Sequence, residues 1–178
     1  MNVPAFPQRR EALYLAAPQF DDLDLGLRSA EAADLPFLRR LYAASRDREL
    51  AYIPWPDETK RSFCDNQFDL QHRHYVTSYL SADFLIVLHR RKPIGRLYLH
   101  ETAQEMSIVD ILLDRAAQGH GLGSALLRWT QDLVRERCLN ALTLHVELRN
   151  EAAYRLYKRL GFVAGEINGA HLHMTWRP

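Results

Sequence analysis

A mixed α/β sheet covered by helices is the fold class the sequence predicts, and three observations predict it. Strand patterns and helix patterns follow one another in the order β-α-α-β-β-β-α-β-α-β-β. At least three strand-to-strand junctions are short enough to be hairpins, which an all-parallel sheet does not allow. The helix patterns are spread along the chain, so helices must lie against the sheet rather than form a bundle of their own. About seven strands, partly antiparallel, and about four helices are expected.

Each element has a local reason. Residues 1–23, interrupted by Pro4, Pro7 and Pro18, show no sustained period and read as an N-terminal extension. A single domain is expected over residues 24–177. Leu25 to Arg28 alternate as a short strand. Asp34-Leu35-Pro36 reads as a helix start, with aspartate as cap and proline in the first turn. Leu35, Leu38, Leu41 and Tyr42 then make a stripe ending near Arg46. Pro54-Trp55-Pro56 forces a bend, and a second helix is expected from Asp57 to His72 with Phe63, Cys64 and Phe68 inward. Phe84–Leu88 is a continuous apolar strand, and Arg91-Lys92-Pro93 turns it into a hairpin with Ile94–His100. Met106–Leu113 is the next strand, apolar except at Ser107 and Asp110. From Gly121 to Arg137, Leu122, Ala125, Leu126, Trp129 and Leu133 share a helix face. Leu139–Val146 is a strand. Asn150 caps a helix to Leu160, which Gly161 ends in the left-handed region. Strands near Phe162–Glu166 and His171–Trp176 flank an Asn168-Gly169 turn.

Composition narrows the function classes. The chain has 178 residues, 47% hydrophobic and 25% charged, with a formal net charge of +1. That suits a soluble globular domain and argues against a broad basic face for nucleic acid. Two cysteines, Cys64 and Cys138, exclude a disulfide-dense scaffold. No apolar run approaches the ~20 residues of a membrane span. No signal core follows Arg9-Arg10, so a cytoplasmic location is expected.

Two motifs carry the chemistry. Gln118-Gly119-His120-Gly121-Leu122-Gly123-Ser124 follows a buried strand and opens a strong helix. Glycines there let backbone amides approach a ligand, and the helix start suits a pyrophosphate. A tight turn without a ligand would read the same way. The dinucleotide and Walker patterns do not fit. The second motif is Asn150-x-x-Ala153-x-x-Leu156-Tyr157-x-x-Leu160-Gly161-Phe162, which alone reads as a capped helix with a core stripe.

Together, in this order after the strand through Ile111 and Leu113, the two motifs resemble the GNAT superfamily of N-acetyltransferases. The resemblance covers roughly Leu25 to Trp176, with its core from Ile108 to Phe162. It implies a GNAT-like fold and an acetyl-CoA-dependent enzyme acting by direct transfer in a ternary complex. It also implies that Gln118, Gly119, His120, Gly121, Leu122, Gly123 and Ser124 wrap the CoA pyrophosphate. Backbone groups at Ile111, Leu112 and Leu113 would pair with the pantetheine arm. Asn150 would contact the cofactor, and Tyr157 would sit beside the thioester sulfur. A phenol can share its proton with a departing thiolate, because the thiol pKa of ~8.5 lies close enough to the phenol's ~10.

Asp110, a carboxylate in an apolar strand and facing away from Val109 and Ile111, is a candidate general base. Glu101, Glu105 and a water chain compete for that role. His171 and His173 share a strand face and read as solvated, as do His72 and His74, so no metal is expected. The acceptor is expected to be a small-molecule amine or a peptide amine, with no nucleic acid or membrane partner, and a homodimer is allowed. Trp55, Phe63, Phe68 and Tyr75 are candidates for the acceptor wall. A different class, a CoA-binding sensor or regulatory module without turnover, would keep the glycine turn and Asn150 but have no need of Tyr157.

Overall fold

The computed structural model describes residues 3–7 and 18–178. Its strands are β1 (Leu25–Ser29), β2 (Asp83–His89), β3 (Lys92–Glu101), β4 (Glu105–Leu113), β5 (Ala141–Glu147), β6 (Val163–Asn168) and β7 (His171–Trp176). Its α-helices are α1 (Leu35–Leu50), α2 (Asp57–Ser78), α3 (Leu122–Glu136) and α4 (Glu151–Arg159). The strands form one sheet in the order β1-β2-β3-β4-β5-β7-β6. All neighbours are antiparallel except β4 and β5. The expected order of elements and the mixed sheet are therefore what the chain adopts.

Two apolar clusters form on the sheet. One joins Leu97, Leu99, Ile108, Leu142 and Leu144 to Leu126, Trp129 and Leu133 of α3 and Tyr157 of α4. The other joins Phe84, Ile86 and Tyr98 to Leu38 and Leu41 of α1 and Phe68 and Val76 of α2. Strand alternation explains the division, because neighbours such as Leu97 and Tyr98 point to opposite faces.

Part of the expected extension lies outside the described residues. Within it, Phe20 is buried beside Trp129, their rings 5.6 Å apart. Phe6 meets Phe84 and the edge of His72.

Several local expectations change. Both α1 and α2 run beyond their predicted ends, the second by more than a turn. His72, expected at a solvated helix end, is thereby buried; it stacks on Phe68 and bonds through Nε2 to the Pro4 carbonyl at 2.9 Å. Burial depresses its pKa. Asp34 does not cap α1 with its side chain. It takes both guanidinium arms of Arg28 at 2.6 and 2.7 Å and the Glu31 amide at 2.9 Å. Asn150 does cap α4, its Oδ1 accepting the Ala153 amide at 3.1 Å. Arg137 pairs with Glu101, and Arg135 lies 4.7 Å over the Trp176 ring. Cys138 is exposed.

Candidate active site

The sheet opens at its centre. β4 and β5 pair in parallel from Glu105↔Ala141 to Ile108↔Leu144 and no further. Both strands continue, β4 to Leu113 and β5 to Glu147. At the base of the opening the Ser107 and Thr143 hydroxyls bond at 2.8 Å. A bulge sits just past it: Tyr98 faces Asp110, but Leu99 faces Ile108, leaving Val109 as the extra residue. An extra residue bends its strand and twists it away from a neighbour.

The bulge also corrects the expected alternation. Asp110 does face away from Ile111, but Val109 joins the cluster under α1 and α2 on Asp110's own side. Past Ile108, the backbone groups of β4 that do not point to β3 meet no strand. They offer donors and acceptors to an extended ligand, as a sheet edge does.

The glycine turn lies at the far end of β4. Gly119 and Gly121 both have φ of +81°, a conformation costly for any side chain. A Cβ at either would meet nothing within 4 Å, so backbone conformation and not crowding selects glycine there. Gly121 is the N-cap of α3, and no side chain caps this helix. Its first amides are left to an external acceptor, and the helix dipole favours an anionic one. Gln118 anchors the turn, donating from Nε2 to the Leu113 carbonyl at 2.8 Å. His120 and Ser124 flank the turn, the first exposed and the second half-buried.

Tyr157 sits in the α3-side cluster beside Phe162, 7% exposed. Burial first, and the negative charge of Asp110 second, push its pKa up to about 12. The phenol is therefore held protonated at neutral pH.

Asp110 lies on the other face, over Arg96. The Arg96 guanidinium is 3% exposed and meets Asp110 Oδ2 at 2.7 Å and Gln71 Oε1 at 2.8 Å. Burial first, and the negative charge of Asp110 second, drive the Tyr75 pKa upward. Tyr98 completes the group, its ring 5.5 Å from the guanidinium carbon. Of its competitors for the base role, Glu101 is paired to Arg137, and Glu105 lies at the closed end of the β4–β5 ladder.

Phe68 is core, while Trp55 is 41% exposed and meets Phe63 edge-on at 5.5 Å. Sequence reasoning passed over two groups at the opening, Arg96 and His145. Arg96 left a signal as a lone cation in an apolar strand. His145 is a polar position of the alternation Leu142-Thr143-Leu144-His145-Val146 and the one exposed residue of β5. Among the described residues no group of three or more His, Cys, Asp or Glu is placed to hold a metal ion. No helix there is long and apolar enough to cross a membrane.

A parted parallel pair, an uncapped glycine-led helix and a buried tyrosine define an acyltransferase architecture. The chain belongs to the Acetyltransferase (GNAT) family, whose profile matches residues 37–162. Among curated proteins it is 34% identical over 80 residues to a mycothiol acetyltransferase of Streptosporangium roseum. It is 33% identical over 79 residues to that of Nocardia farcinica. These stretches span 45% and 44% of this chain but only 20% and 22% of the relatives. Among solved structures, the PaiA N-acetyltransferase of Thermoplasma acidophilum in complex with coenzyme A superposes with a TM-score of 0.66 at 18% identity. The superposition covers 86% of this chain and 99% of that one. Spermidine N-acetyltransferase of Vibrio cholerae, in complex with CoA and spermine, gives 0.59 at 24% identity over 86% and 95% of the two chains. The fold is GNAT-like.

Proposed function

We propose that this protein transfers an acetyl group from acetyl-CoA to a primary amine by direct attack in a ternary complex. The observation that carries the reading is the opening between β4 and β5, with a glycine-led, uncapped α3 at one end and Tyr157 beside it. The donor fits the residues present. The α3 amides and the turn from Gln118 to Ser124 would hold the pyrophosphate. The unpaired edge at Ile111–Leu113 would pair with the pantetheine arm, though the Leu113 carbonyl is already engaged by Gln118. Asn150 spends its side-chain oxygen on the cap of α4 and keeps its amide donors for the cofactor.

Acetyl-CoA supplies an activated thioester; the chain supplies position, field and protons. Tyr157 holds a proton for the departing sulfur. Asp110 is engaged by Arg96, and in this reading it sets the field at Tyr157. Two features support an acceptor entering from the side of α1 and α2. The carboxylates Asp110 and Glu147 and the exposed Trp55 lie there. The acceptor class is an amine, as in the polyamine enzyme above.

The test is thioester consumption by the purified protein with a panel of amines and N-terminal peptides, read by free thiol and product mass. Turnover of some amine is expected. CoA binding without thiol release across the panel would favour a non-catalytic CoA sensor instead.

The turn can be tested separately. Gly121→Ala places a side chain at φ +81°, costing roughly 1–2 kcal/mol of stability. Any relaxation of that strain must turn the first α3 amides. CoA affinity measured by calorimetry on the folded variant is expected to fall several-fold. Unchanged affinity would remove the turn from the binding site.

A further inference from the structure

We infer that residues 3–7 are a strap latched on His72, released when that imidazole takes a proton, and that the strap holds α2 in its seat over the Arg96–Asp110 pair. The latch is independent of the acetyl-transfer reading. Its effect on the acceptor rests on that reading.

The segment Val3-Pro4-Ala5-Phe6-Pro7 joins no strand or helix. Its two prolines keep it extended and leave it few amides to pair. Two contacts hold it. The Pro4 carbonyl accepts from His72 Nε2 at 2.9 Å. Phe6 meets the His72 ring edge-on at 4.8 Å and the Phe84 ring at 5.5 Å. Beyond these the fit loosens, and a pocket of about 280 Å³ lies between residues 5–7, 29–32 and 82–84. A segment with no ladder and a void beside it can leave without unfolding the sheet.

The imidazole is the weak point. It is 2% exposed, stacked on Phe68 with ring centroids 5.8 Å apart and covered by Phe6. Because a carbonyl accepts from Nε2, the neutral ring carries its proton there. The charged groups around it are Asp69 of α2, Arg39 of α1 and Arg96 of β3, and the strap brings none. Asp69 is already paired with Arg39. Burial lowers the His72 pKa, the Pro4 carbonyl opposes that, and Arg96 adds to it. The latch is therefore complete above the ordinary imidazole range of ~6.5 and is lost as pH falls through the lowered value. Phe68 and α2 are fixed in the core, so the strap is the side that gives way to hydrate the charged ring.

The strap reaches the site through α2. Phe68, His72 and Val76 form one buried row of that helix. Gln71 and Tyr75 form the row beside it. Gln71 accepts from Arg96 at 2.8 Å, and the Tyr75 ring lies 5.9 Å from that of Tyr98. When the strap leaves the first row, α2 is free to shift and carries the second row with it. In the acetyl-transfer reading the amine meets this side and acetyl-CoA does not.

The test uses full-length wild type, His72→Gln and His72→Phe. Glutamine keeps a donor and does not titrate; phenylalanine keeps the stacking and has no donor. Backbone amide resonances of Ala5 and Phe6 report the strap, and the Trp129 indole resonance reports the core. As the wild type is acidified, the strap resonances should move to unstructured positions while that of Trp129 stays. They should hold in His72→Gln and be released already at neutral pH in His72→Phe. Strap resonances that move alike in wild type and His72→Gln, or that stay latched in His72→Phe, would overturn the latch. So would strap and core signals lost together. With an amine that the wild type acetylates, His72→Phe should raise the Michaelis constant for the amine several-fold, with acetyl-CoA affinity unchanged and His72→Gln near wild type. A released strap with wild-type kinetics for both substrates would overturn the coupling through α2. A wild type that releases no thiol with any amine would overturn the transfer reading and leave the latch to be decided by the resonances.

Discussion

Tyr157→Phe is expected to slow acetyl transfer roughly 10²–10⁴-fold while leaving acetyl-CoA affinity nearly unchanged. The variant removes one hydroxyl and keeps the ring that packs beside Phe162 in the core. Its pKa, pushed up to about 12, fixes the sign of the argument. A phenol with a raised pKa is neutral throughout the physiological range, so it enters the reaction loaded. Against a thiol pKa of ~8.5 its transfer to sulfur is uphill, so it runs only in concert with C–S cleavage and with reprotonation of the phenolate. A fall in kcat with a constant Michaelis constant for acetyl-CoA would mark an interaction made in the transition state. Wild-type turnover, with chemistry shown to limit the rate, would remove Tyr157 from the proton path. The family assignment would stand, because it rests on the sequence profile and the fold.

The sequence carried the site unevenly, for physical reasons. The glycine turn and the α4 motif were legible because their function is written in backbone conformation. Gly119 and Gly121 need positive φ, and Asn150 caps with a local bond three residues on. The order of elements along the chain was legible because each helix and each hairpin is a local event. What could not be read depends on contacts far apart in the chain. Arg96 and Asp110 are brought together by the register of β3 against β4, which the bulge at Val109 resets. Alternation counted from the sequence put Val109 on the wrong face for the same reason. His72 appeared solvated because nothing local announces that α2 continues to Ser78 or that Pro4 comes back to meet it.

The ion pair beneath the site carries the largest stability effect. Asp110→Ala is expected to cost roughly 3–5 kcal/mol, since it strands a guanidinium inside the sheet. Arg96 is 3% exposed and Asp110's side chain 12%, so water cannot replace the lost carboxylate without opening the packing of α2 on β3. Gln71 would be left as the hydrogen-bonding partner, and a neutral amide does not balance a charge. For a chain of this size the melting temperature should drop about 6–20 °C. Replacing both partners with apolar residues of similar volume, Arg96→Met with Asp110→Leu, should recover most of that loss, because neither charge then needs a partner. Denaturant melts of the two single variants and the double variant measure the coupling directly. Additive losses would mean that the two side chains are not each other's counter-ions. The same double variant separates fold from chemistry. It removes the negative charge that helps hold up the Tyr157 pKa, so the alkaline limb of its rate profile should move to lower pH even where stability is restored. An alkaline limb unmoved in a stable double variant would limit Asp110 to packing.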